Sequence, residues 1–379
     1  MTICVMKRAG LNCLLAVCGL LFLTGGGFAY EINDKFSIGG IMAGIYQYQS
    51  LSDAPGYDSL GRGLLAFQPE ASFSPTETDE LFVKFGFGAG NGLMEAEKSP
   101  FILAPWGGDT QDGVKDINGR GRDYLLTAWY KHTFKFSDHH ALGLTGGIID
   151  GTDYIDENAY SNDEYTQFMN QALVNAPHAF LPSYDLGAAV EWELERFSIK
   201  GVAMAIGSNG KEGTFDQPYN AYFTQFAYAA TTGLGQGNYR LILGVSSDAY
   251  PNPEGTHMER RVCAIASFDQ QLGNILGAWV RFGWQDDAAA VDYKGIYSGG
   301  LNISGSLWGR SSDNIGIGYA HMNGGNQDVD HTHVFETYVR FALSDIFAIT
   351  GDVQYMKDSM KAGDSPSGWI FGLRGTAEF

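Results

Sequence analysis

Cysteine is almost absent where it would matter. Three of the four cysteines, Cys4, Cys13 and Cys18, lie within the first 18 residues, and Cys263 stands alone in the rest. That excludes an intramolecular disulfide framework and a thiolate metal cluster beyond the N-terminal segment. Positive charge is also scarce. Lys and Arg number 24 against 43 Asp and Glu, a net charge of −19. Nucleic acid as a partner is excluded on that ground, because phosphate binding needs basic patches. After residue 29 no apolar run reaches the eighteen or so residues of a membrane-spanning helix.

What the N-terminus does contain is a secretory signal. Lys7 and Arg8 form a basic start, Leu11 to Leu23 an apolar run, and Gly27 and Ala29 a small-residue cleavage pattern before Tyr30. The run is too short for a transmembrane helix. Residues 1–29 are therefore expected to be removed, leaving one domain over 30–379.

The remaining chain is rich in what closely packed strands use: 24 Phe, 20 Tyr and 51 Gly. Period-2 alternation recurs along it. In "GWIFGLRGTAEF", Trp369, Phe371, Leu373 and Phe379 share a face, with Arg374, Thr376 and Glu378 opposite. Sixteen segments follow this pattern, near 35–49, 62–74, 79–90, 122–136, 139–149, 183–195, 197–208, 220–230, 237–247, 259–270, 273–285, 291–304, 314–322, 333–343, 347–357 and 368–379. The links alternate between tight turns and long loops; those at 91–121 and 150–182 are the longest, while 286–290 (short) and 305–313 (long) break the pattern.

An even strand count with short turns at one end describes an all-β transmembrane antiparallel barrel of about sixteen strands. Closure removes the unpaired edges a bilayer would penalise. This size encloses water rather than a packed core. A soluble β-sandwich would explain neither the loop asymmetry nor the terminal Phe379. That aromatic end also suits recognition of the last strand by the barrel-assembly machinery, with outer-membrane lipid around the wall.

With the apolar phase outward, alternation places Glu70, Lys84, Trp129, Lys131, Glu191, Glu193, Lys200, Arg240, Trp279, Arg281, Glu336, Arg340, Asp352, Gln354 and Arg374 toward the lumen. A one-sign ring would predict strong ion preference. This mixed wall suits neutral, hydroxyl-rich solutes: aromatics meet sugar-ring faces and charged groups bond the hydroxyls. The same side chains could instead only wet the lumen and pair with one another.

The longest loop carries "YIDENAYSNDEYTQFMN", Tyr154 to Asn170. Folded inward, it would turn Asp156, Asn158, Asn162, Gln167 and Asn170 toward a solute, with a short helix over about 163–174. Exposed to the medium, it would do neither.

Three stretches resemble the OprB-type carbohydrate-selective porins. The first is "AWYKHTFKF" with the following segment through Pro177, similar to that family's Trp-Tyr strand and Asp-x-Asn…Gln-Phe-x-Asn loop. The second is Phe268 to His321, with "WVRFGW" and a Gly-Arg-x-x-Asp turn. The third is "ETYVRFALSDIFAITGDVQYM" with the closing "GLRGTAEF". Together they span most of 120–379. The resemblance implies a sixteen-stranded channel passing glucose and other sugars down their gradient. It also implies a constriction by inward loops. Carried over, Asp156, Asn158, Gln167 and Asn170 belong to the loop, and Arg281, Arg310, Glu336, Arg340 and Gln354 to later strands and the turn. The expected substrate-binding or constriction set is thus these loop residues with Trp129, Trp279, Arg281, Glu336, Arg340, Asp352, Gln354 and Arg374.

Other readings are a general porin without sugar preference, a barrel sheathing a partner protein, and a barrel enzyme. No ordered Ser-His-Asp set points to the last. "GFGAGNG", Gly86 to Gly92, mimics a phosphate loop but lacks the following Lys-Ser/Thr and helix. There, glycine suits a bending or closely approached wall. "DVDHTH", Asp328 to His333, reads as a solvated loop, with a loop metal site as the alternative.

Overall fold

A computed structural model describes residues 30–95, 98–211 and 213–379. The expected signal peptide, residues 1–29, lies outside the described residues. Alternation becomes strand throughout. The strands are β1 (Phe36–Ser52), β2 (Leu60–Phe73), β3 (Asp79–Phe85, continued by Phe87–Ala89) and β4 (Leu125–Ser137). They continue as β5 (His140–Ile149), β6 (Asp185–Leu194), β7 (Phe197–Ile206), β8 (Tyr219–Thr232), β9 (Gly235–Ser246) and β10 (Val262–Leu272). The last six are β11 (Leu276–Gln285), β12 (Tyr293–Ser304), β13 (Asn314–Gly324), β14 (Val329–Ala342), β15 (Phe347–Met360) and β16 (Ser367–Glu378).

Each strand pairs antiparallel with the next, and β1 pairs with β16 from Ile41↔Glu378 to Ser52↔Ser367. The result is a closed 16-strand barrel. The seam is finished at the chain's last residue. Phe379 donates its N–H to Gly40 O at 3.1 Å and accepts from Gly40 N at 2.9 Å. Its ring stacks 6.1 Å from Phe67. The short strand Tyr30–Asn33 folds back on the start of β1.

The outward face is apolar and uncovered: Tyr46, Leu144, Leu186, Phe226, Leu241, Phe282, Trp284, Phe371 and Leu373 are all exposed. In water such a surface would be an aggregation hazard. Around a barrel it is the lipid-facing band. Among the described residues no helix is long and apolar enough to cross a membrane, which says nothing of a barrel that would cross with strands.

Glycine marks where a loop presses on the wall. A Cβ on Gly88 would stand 2.7 Å from the Gln111 backbone, and one on Gly86 2.8 Å from Leu126. Gly86 is also where β3 breaks, its N–H turning to Tyr124 O at 2.8 Å. The glycine run is therefore a close-approach surface for the 90–124 loop. The "DVDHTH" stretch departs from its expected loop. From Val329 onward it is β14, in register with β13.

Candidate functional site: the lumen and its two inward loops

The 150–184 loop enters along the inner wall. Asp150 starts it by accepting from Thr152 N at 2.9 Å, capping the turn Gly151–Asp153. Tyr154 and Ile155 then pack among Val202, Met204, Phe223 and Ile242, the inward apolar residues of β7 to β9. Burying such side chains contributes about 1.5–3 kcal/mol each, so the loop is anchored before its polar contacts begin.

Many of those polar contacts go to inward wall residues. Asp156, at φ 64°, forms a fully buried ion pair with Arg281, 2.8 Å from Nε to Oδ2. Arg281 also donates to Asp156 Oδ1 at 3.2 Å and to Ser161 O at 2.8 Å. Asn158 donates to Ser267 Oγ at 3.2 Å. The N–H groups of Met169 and Asn170 donate to the two carboxylate oxygens of Glu336 at 2.6 and 2.9 Å. Asn170 Nδ2 donates to Gln354 Oε1 at 2.8 Å. Arg374 donates to Gln167 O at 3.0 Å and to Glu164 O. Phe168 wedges between Trp279 and Tyr338, ring centres 5.7 and 5.2 Å away. Gly277 and Gly318 leave the space that Tyr160 and Phe168 occupy; a Cβ would lie 2.2 and 2.8 Å from those rings.

The expected helix over 163–174 does not form. Gln167 N closes one turn onto Asp163 O at 2.9 Å, but Glu336 then takes the next N–H groups. Only the short 3-10 turn Gln171–Leu173 follows.

A second loop, 90–124, joins the first. Pro105 O accepts from both Gln47 and Gln354, at 2.9 and 3.0 Å. Gly107 N donates to Met169 O and Gln171 N to Ala104 O. Trp106 meets Tyr165 edge-on at 5.3 Å, and Gln68 ties Tyr165 to Asp109. Sequence patterning assigned this loop no inward role. Its aromatic between proline and glycine, in "APWGGD", was the available signal.

The expected solute-contact set therefore divides. Asp156, Asn158, Asn170, Trp279, Arg281, Glu336, Asp352, Gln354 and Arg374 are all buried. Their side chains face the inward loops and neighbouring wall residues rather than open lumen. Their hydrogen-bonding capacity is spent largely on the loops. Gln167, Trp129 and Arg340 remain partly open. Trp129 stacks on Phe82 at 5.0 Å. Arg310 holds a turn: it pairs with Asp313 at 2.5 Å and reaches Ala342 O at 2.7 Å. That pairing lowers the Asp313 carboxyl to about 2.

Much of the charge on the open wall is set in pairs of opposite sign. Lys84 lies 3.7 Å from Glu70, Lys131 2.5 Å from Glu191, Lys200 2.6 Å from Glu157, and Arg340 2.7 Å from Glu378. One cavity is lined by Tyr160, Thr166, Gln167, Asn302, Arg340 and Glu378. A neighbouring one adds Asp163, Glu70 and Lys84. Glu157, Asp163 and Thr166 are channel-facing residues that sequence reasoning did not place. Burial raises several loop carboxyls above the usual carboxylate range. Burial, with Asp150 alongside, raises Asp153 to about 7. Burial, with Asp163 alongside, raises Glu164 to about 8. Burial raises Asp109 to about 6 against the Gln68 hydrogen bond.

A closed barrel with a lipid-facing apolar band and a charged, loop-lined interior is a porin of the Gram-negative outer membrane, a channel for small solutes. Residues 104–379 match the model of the carbohydrate-selective porin, OprB family, and the chain belongs to that family. It is 31% identical over 281 residues to an uncharacterized protein of Aquifex aeolicus strain VF5, covering 74% of this chain and 79% of that one. Its fold is similar to the high-pH structure of Pseudomonas putida OprB, with TM-score 0.68 and 16% identity over 91% of this chain and 94% of that one. The outer-membrane channel DcaP of Acinetobacter baumannii is similar at TM-score 0.57 and 8% identity, covering 93% and 100%.

Proposed function

We propose that this porin passes uncharged, polyhydroxylated solutes in preference to ions, with monosaccharides such as glucose and short oligosaccharides as its cargo. The observation that carries this reading is the pairwise compensation of charge on the open wall, from Lys84–Glu70 to Arg340–Glu378. Compensated pairs offer a sugar many donors and acceptors but give an ion no field of one sign. Trp129 and Tyr160 supply flat apolar faces for ring contact. The two clamped loops form the constriction. They also occupy the space a sheathed partner protein would need, which disfavours that reading. The terminal Phe379 is the part proposed to be read by the barrel-assembly machinery.

Liposome swelling tests the preference. Glucose is expected to enter several-fold faster than gluconate or glucosamine of the same size. Equal rates for all three would make the protein a general porin.

A further inference from the structure

We propose that the outer wall carries a binding site for a late first-row divalent metal ion, Zn2+ or Cu2+ in class, at the extracellular rim of β13 and β14. Three histidines meet there because "DVDHTH" is strand. His331 and His333 lie two apart on β14 and share its outward face. Register sets His321 of β13 directly opposite His333. The ring centres stand 4.8 Å apart for His321 and His333, 4.9 Å for His331 and His333, and 5.7 Å for His321 and His331. Imidazoles sharing one tetrahedral zinc have centres about 5 Å apart.

The nitrogens are also oriented. His321 Nε2 faces the Asn323 Oδ1 acceptor at 2.9 Å, which holds the proton on Nε2 and the lone pair on Nδ1. That Nδ1 stands 3.5 Å from His333 Nδ1. Two nitrogens about 2.0 Å from one tetrahedral zinc lie about 3.3 Å apart. His331 Nδ1 is bonded to the Asp330 carboxylate at 2.8 Å, leaving Nε2 as its ligating atom. Carboxylate-backed histidine of this kind is the usual second partner of a metal ligand. Imidazole donors suit zinc and copper over magnesium or calcium.

The wall presents a prepared pair with a third arm beside it. Among the described residues no three such groups already converge on one point, so His331 must turn in. The Tyr319 hydroxyl occupies His333 Nδ1 at 2.6 Å and must yield to the metal. All three rings are partly open, at the end of the barrel that carries the long loops. The site is on the opposite side of the wall from the lumen, so it stands or falls independently of the solute preference.

Zinc titration of the detergent-purified porin against a chromophoric chelator reads the affinity. One Zn2+ per chain is expected, weakened at least tenfold by H321A/H333A, with channel conductance unchanged. Zn2+ should also protect His321 and His333 of the unaltered protein from carbethoxylation, read by mass spectrometry. Absence of zinc binding, or equal affinity in the double variant, or no protection, would overturn the proposal.

Discussion

At the residue scale, the lumen's most conspicuous charges are structural clamps. Arg281 is the clearest case, because it faces Asp156 with both side chains fully buried. Removing one partner of a buried pair costs about 3–5 kcal/mol, since the other is left as an uncompensated charge. Arg281→Ala is therefore expected to release the loop near Asp156 and Ser161. Single-channel conductance should rise and become noisier, and the thermal unfolding temperature should fall. The double change Arg281→Met with Asp156→Leu should cost less than Arg281→Ala alone. Equal conductance and stability in Arg281→Ala would contradict the clamp.

The raised loop carboxyls make a second prediction at this scale. In the folded protein Asp109, Asp153 and Glu164 hold protons to about 6, 7 and 8. Their folded values lie above the unfolded ones, so their stabilising contribution is complete below about pH 4 and is lost as pH rises through 6 to 8. Across that window the lumen also gains negative charge. Reversal potentials in a salt gradient should move toward cation preference between pH 5 and 8. Asp153→Asn should flatten that change. A potential independent of pH would contradict it.

At the element scale, the strands were legible in the sequence and the loops only in part. Period-2 alternation placed all sixteen strands, because a lipid-facing row leaves no freedom for a one-residue slip. The loop 150–184 was legible as an inward candidate, since its amides and acids had polar neighbours across the lumen. Which side chains meet solute was not legible. Alternation assigns Arg281, Glu336 and Arg374 to the lumen face but is silent on a loop lying over them. The helix expected over 163–174 failed for the same reason: the Glu336 carboxylate, distant in sequence, competes for the N–H groups of Met169 and Asn170. The strand identity of "DVDHTH" was missed because its polar outward face lacks the apolar row used to recognise strands.

Glycine placement makes the prediction at this scale. Gly277 lies under the Tyr160 ring, where a Cβ would stand 2.2 Å away. Gly277→Val should leave β11 paired but push Tyr160 and the adjacent turn off the wall. Conductance is expected to change while the heat-resistant, folded migration of the barrel in detergent gels persists. Loss of the folded form altogether would show that the glycine serves the strand instead.

At the scale of the whole molecule, the barrel is a wall with two linings. Outside, an apolar band faces lipid. Inside, loops 90–124 and 150–184 bond to each other and to β11, β14, β15 and β16, and the proposed passage beside them carries paired charges. The net charge of −19 would suggest a cation channel if it were spread along that passage. The pairing of Lys84, Lys131, Lys200 and Arg340 with acids argues for a passage that is nearly neutral and dense in hydrogen-bonding groups.

Current through single channels in a planar bilayer, with glucose or a maltodextrin added, tests this most directly. The account predicts that sugar reduces the open-channel current in a saturable manner, and that a polyethylene glycol of matched size does not. It also predicts that Gln167→Ala, which alters an open loop residue, weakens the block. Sugar and glycol acting alike, on a channel whose block is unmoved by that change, would contradict it.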